Sequence, residues 1–92
     1  MSYELLYLPL ASKDIKKLDP SVRRVIKNAL LRLSENPMLG KPLSDTLSGY
    51  YSYRVSDYRI IYKVRDQELI IIIVSIGHRR EVYDKLRKFL ER

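Results

Sequence analysis

The sequence predicts an α+β domain, residues 1–92: an N-terminal strand, a two-helix hairpin, a three-stranded antiparallel meander and a C-terminal helix, with the helices on one side of the sheet. Three observations carry this reading. Apolar residues recur at helical spacing from Val22 to Leu33. They alternate at strand spacing from Tyr51 to Val64, and they return to helical spacing from Val82 to Leu90. One chain of 92 residues with 46% apolar content is enough for a single modest core.

Each element has its own signal. Tyr3 to Leu8 is an apolar, aromatic run stopped by Pro9, a short first strand. Ser12 is a good N-cap for a short helix over Lys13 to Leu18, with Ala11, Ile15 and Leu18 on one stripe. Asp19-Pro20 restarts the helix, because Asp caps and Pro suits the first helical position. The second helix runs from Pro20 to Glu35. Val22, Val25, Ile26, Ala29, Leu30 and Leu33 form its apolar stripe, and Arg23, Arg24, Lys27 and Arg32 take the solvent side. Asn36-Pro37 ends it. Met38 to Gly49 reads as a loop that runs back across the domain. The meander follows as Tyr50–Val55, a tight turn at Ser56-Asp57, Tyr58–Arg65, a turn at Asp66-Gln67, and Glu68–Ile76. Leu69 to Val74 is apolar at every position, which marks an internal strand covered on both faces for part of its length.

The alternation divides the sheet by chemistry. Tyr58, Ile60, Tyr62 and Val64 point one way, as do Tyr51, Tyr53 and Val55; this face needs the helix hairpin as its cover. Arg59, Lys63 and Arg65 point the other way with Ile61 among them, as do Ser52, Arg54 and Ser56. Such a cationic face suits an anion. With 18 Lys+Arg against 11 Asp+Glu, the net charge of +7 points to nucleic acid or an acidic protein as partner. The chain has no cysteine, which excludes a disulfide framework and a thiolate metal site. Neither a signal-peptide pattern nor an apolar run approaching the roughly 20 residues of a membrane span is present, so a cytoplasmic location is expected.

Leu47-Ser48-Gly49 before the meander, Asp57-Tyr58-Arg59-Ile60-Ile61-Tyr62 within it and Ile76-Gly77-His78-Arg79-Arg80-Glu81-Val82-Tyr83 after it together resemble the RelE/ParE toxin superfamily, on its RelE-like branch. The resemblance covers essentially the whole chain. It implies the RelE-like microbial RNase fold and a toxin of a type II toxin–antitoxin pair that cuts mRNA in the ribosomal A site and inhibits translation. It further implies no metal or other cofactor. The partners it implies are a cognate acidic, RelB-like antitoxin, the ribosome and mRNA, with no membrane. ParE-like members share the fold but act on DNA gyrase, which is the alternative reading; a basic RNA-binding domain without activity is a third. Carried over by position, the family's sheet arginine falls on Arg59, its glycine-loop arginine on Arg79, its C-terminal tyrosine on Tyr83 and a strand lysine on Arg54. A further family lysine corresponds to Ser52 here.

Metal-free RNA cleavage uses the 2′-hydroxyl as nucleophile, so the site must take its proton, neutralise the phosphoryl oxygens and let the 5′-oxygen leave. Arg59 and Arg79 suit the second task, because a guanidinium fork binds phosphate oxygens in two places and keeps its charge. Tyr83 suits stacking on an unstacked base. The proton acceptor is left between His78, the only histidine, and Lys63 on the sheet face. Lys63, Arg65 and Arg80 are expected to contact RNA. The antitoxin is expected to bind along the same sheet and shift the terminal helix.

Overall fold

The computed structural model describes residues 2–91. The chain runs β1 (Glu4–Tyr7), α1 (Pro9–Lys17), α2 (Pro20–Glu35), β2 (Lys41–Pro42), β3 (Tyr51–Val55), β4 (Tyr58–Arg65), β5 (Ile70–His78) and α3 (Val82–Leu90). Short 3-10 turns at Pro37–Leu39, Asp45–Leu47 and Asp66–Glu68 fill the longer connections. The five strands form one sheet in the order β1-β5-β4-β3-β2. The expected meander is its centre, β3-β4-β5, and every pairing is antiparallel except β1 with β5.

Local chemistry explains where the boundaries differ from expectation. The first helix starts at Pro9 rather than Lys13, because Pro occupies the first turn after an extended Leu8. Ser12 therefore lies inside the helix, its N–H donating to the Leu8 carbonyl at 3.0 Å. The last strand starts later than expected, since Asp66–Glu68 curl into a 3-10 turn and Leu69 adopts a left-handed φ of 56°. Within the expected loop, Lys41 and Pro42 add a short edge strand, a position where a missing N–H is harmless.

The largest correction concerns the layers. Helices cover both faces of the sheet, not one. α1 and α2 bury Ala11, Ile26, Ala29, Leu30 and Leu33 against Ile60, Tyr62, Ile71, Ile73 and Ile76. The expected tyrosines Tyr51, Tyr53 and Tyr58 pack against the same cluster, whereas Val25 at the edge of the stripe stays 49% exposed. On the opposite face α3 lays Val82 and Leu86 on Ile61 and Val74. Ile61, the apolar residue among the cations of β4, is thus the seat of the C-terminal helix. Gly77 permits this approach: a Cβ there would stand 3.3 Å from that of Val82.

A β-bulge makes β5 apolar toward both layers. Pairing jumps from Ile61↔Ser75 to Tyr62↔Ile73, so Val74 is an extra residue and the facing of the strand changes around it. Ile73 and Ile76 both reach the α1/α2 core, while Val74 reaches α3. Past the end of β1, the free edge of β5 is closed by side chains. Buried Asp14 of α1 accepts from the Ile76 N–H at 2.9 Å and the Ser75 hydroxyl at 3.1 Å, and it pairs with Lys85 of α3. Lys85 also reaches the Ile76 carbonyl at 3.5 Å. Both helix layers are thereby tied across an edge that would otherwise offer unpaired backbone groups. No helix among the described residues is long and apolar enough to cross a membrane.

Candidate functional site: a cationic hollow between the sheet and the C-terminal helix

The cationic face is only half covered, because α3 seats on β4 and β5 and reaches β3 only through Tyr83. There a hollow of about 450 Å³ is lined by Lys41, Ser52, Arg54, Arg59 and Tyr83, with Leu39, Pro42, Leu43 and Tyr53. Register explains the grouping. Lys41 pairs with Ser52, and Arg54 pairs with Arg59, so each pair shares this face. Arg54 and Arg59 stand directly opposite one another, an arrangement that repels rather than stabilises. Among the described residues no ion pair offsets this: Asp57 meets Arg79, and Glu68 meets Arg65. Arg59 is steadied instead by carbonyls, donating to Tyr58 at 3.0 Å and Ser56 at 3.3 Å. Tyr83, in the first turn of α3, closes the hollow through a 2.9 Å hydrogen bond between its hydroxyl and that of Ser52.

Arg79 stands near the hollow but does not line it. Its N–H donates to the Asp57 carbonyl at 2.8 Å, and its Nε lies 3.9 Å from the Asp57 carboxylate. Arg59 and Arg79 are therefore anchored on adjacent residues of the same β3–β4 turn. The Arg79–Asp57 pair is long and exposed, so it contributes little to stability and leaves the guanidinium available.

The other expected residues lie apart. His78 is the last residue of β5 and pairs with Tyr58, whose ring it meets edge-on at 5.9 Å on the face opposite the hollow. Its Nδ1 accepts from the Arg80 N–H at 3.3 Å, which makes it a turn-closing residue in this structure. Arg80 itself is exposed in that turn. Lys63 lies further along β4 with its ammonium 5.2 Å from the centre of the Tyr50 ring, a cation–π contact. Arg65, at the far end of β4, is 3.8 Å from Glu68. Of the α2 cations, Arg23 caps the end of α1 by donating to the carbonyls of Ile15, Lys16 and Leu18, and Arg32 donates to the Tyr53 hydroxyl.

One charged residue of the hollow was not singled out from sequence. Lys41 lies in a stretch with no periodicity, and only its pairing with Ser52 reveals its facing. The strand that carries it is held by Tyr62, whose buried hydroxyl donates to the Pro37 carbonyl at 2.8 Å and accepts from the Gly40 N–H at 2.9 Å. Burial raises the Tyr62 pKa above the ordinary tyrosine value, and the Gly40 bond partly opposes this. Gly40 has to be glycine for this approach, since a Cβ would fall 2.5 Å from the Tyr62 hydroxyl.

Comparison with known proteins agrees with the fold. Residues 5–83 match the family described as ParE toxin of type II toxin–antitoxin system, parDE. Toxin RelG of Mycobacterium tuberculosis is 33% identical over 85 residues, covering 90% of this chain and 98% of that protein. The mRNA interferase toxin RelE of Escherichia coli is 29% identical over 92 residues, covering 96% of this chain and 97% of that protein. Among solved structures, the toxin–antitoxin complex RelBE2 of M. tuberculosis contains a chain that superposes with a TM-score of 0.81 at 29% identity, covering 88% of this chain and 95% of that one. The chain belongs to the RelE/ParE superfamily and is a RelE-like toxin of a type II toxin–antitoxin system.

Proposed function

We propose that this toxin is an endoribonuclease that cuts mRNA in the ribosomal A site without a metal, acting in the cytoplasm and so inhibiting translation. The observation that carries the reading is the unpaired confrontation of Arg54 and Arg59 across β3 and β4, beside the Tyr83 ring. Folding gains nothing from two facing guanidinium groups, whereas a phosphodiester between them is held by both. In the reaction the 2′-oxygen attacks the adjacent phosphorus and charge grows on the phosphoryl oxygens. Arg59 and Arg79 meet that charge, each such preorganised donor being worth about 10²–10³ in rate. Tyr83 orients the nucleotide by stacking, worth about 1–3 kcal/mol per base. Arg54, Arg80, Lys63 and Arg65 extend the cationic track for the RNA backbone. The mRNA interferase name of the E. coli relative supports the same chemistry.

The same face suits a protein inhibitor. An acidic, amphipathic antitoxin segment would neutralise the arginines and compete with α3 for the sheet; the similar RelBE2 chain was solved in a toxin–antitoxin complex. The test is a translation reaction with purified ribosomes on a defined message, run beside a gyrase supercoiling assay. Message cut at the codon in the A site, with supercoiling unaffected, is the expected result. Intact message with stalled supercoiling would instead establish the ParE-like activity.

A further inference from the structure

The cutting reaction needs a group to take the 2′-hydroxyl proton, and the hollow's arginines cannot, because a guanidinium keeps its own. His78 faces the opposite side of the sheet, and Lys63 stands over Tyr50 outside the lining. Of the hydroxyls that remain, Ser52 and Tyr83 bond each other, and that of Tyr53 accepts from Arg32 of α2. Lys41 is the amine of the hollow, and no ion pair among the described residues engages it. Its place is fixed by construction: β2 register sets it opposite Ser52, and the Tyr62–Gly40–Pro37 bonds lock the strand in position.

We propose, on the endoribonuclease reading, that Lys41 is the proton acceptor. Its amine nitrogen takes the 2′-hydroxyl proton as the 2′-oxygen forms a bond to the neighbouring phosphorus. The bond from phosphorus to the 5′-oxygen breaks, its electron pair stays on that oxygen, and a water molecule supplies the proton. The products are a 2′,3′-cyclic phosphate and a 5′-hydroxyl. The hydroxide left by the water then removes the extra proton from the Lys41 ammonium, which restores the site.

Single-turnover cutting on programmed ribosomes, followed across pH, tests this with Lys41→Ala and Lys41→Arg beside the parent protein. Lys41 is exposed, so unchanged melting temperatures are expected for both. Loss of general-base help should slow both variants by about 10²–10⁴-fold and flatten the rise of rate with pH. Ethylamine added to Lys41→Ala should restore part of the rate, while Arg59→Ala should not respond. Cutting by Lys41→Arg near the parent rate would show that charge alone is needed and overturn the assignment. Full cutting by Lys41→Ala would overturn it while leaving the endoribonuclease reading intact. A parent protein that leaves the message whole sinks both.

Discussion

The two faces of this sheet come from the same strands and the same alternation, yet they are finished differently. Toward α1 and α2 the face is closed, with Ile60, Tyr62, Ile71 and Ile73 all at 0% exposure. Toward α3 only the β4–β5 half is closed, through Ile61, Val74, Val82 and Leu86, and the β2–β3 half is left as the cationic hollow. The difference teaches how a chain of this size supports a repulsive site. One finished core carries stability, so the other face can hold facing arginines that no folding requirement explains.

Cutting into the closed face should therefore cost most. Ile73→Ala removes a fully buried side chain and is expected to lose about 2–5 kcal/mol, read from urea midpoints. A loss below about 1 kcal/mol would mean that this face is not the stability core. Tyr62→Phe sharpens the comparison, because this tyrosine belongs to the closed core while its hydroxyl holds the strand of the open side. Leaving the Pro37 carbonyl and Gly40 N–H unpaired should cost about 1–3 kcal/mol. The same residue predicts a pH dependence. Its folded pKa is raised by burial, so its contribution is present in full below the unfolded tyrosine value of about 10 and lost as pH rises through the folded value. Tyr7, also raised by burial, acts in the same direction. Urea midpoints should fall at alkaline pH for the parent and fall less for Tyr62→Phe; equal falls would remove Tyr62 from this account. The smallest effect lies on the open face and has the opposite sign. Arg54→Gln relieves the repulsion with Arg59 and should gain about 0.2–1 kcal/mol while cutting weakens. A destabilised Arg54→Gln would mean that the pair is not repulsive.

The parts legible in sequence were those set by local rules. Pro20–Glu35 and Tyr58–Arg65 fall where prolines, turns and periodicity put them, although the Asp19 side chain makes no capping bond. Arg54, Arg59 and Tyr83 come together because strand parity and one helical turn are short-range facts. Non-local pairing was not legible. The parallel contact of β1 with β5 joins residues more than sixty positions apart, and β2 is too short to show a period. The two-sided cover was signalled by the all-apolar run Leu69–Val74 and by Ile61 among cations, but neither said that a helix supplies the second layer. The facing of His78 follows from where β5 ends, two residues later than expected, which carries it into register with Tyr58.

Cationic residues also crowd α2, so the account depends on which cations matter rather than on their number. Cutting on programmed ribosomes by Arg59→Ala and by Arg24→Ala compares the hollow with an exposed helix face directly. Arg59→Ala should cut about 10²–10³-fold more slowly than the parent at a melting temperature no lower than the parent's, and Arg24→Ala should cut at the parent rate. Equal rates for the parent and Arg59→Ala, or an equal loss in Arg24→Ala, would contradict a reaction centred on the hollow.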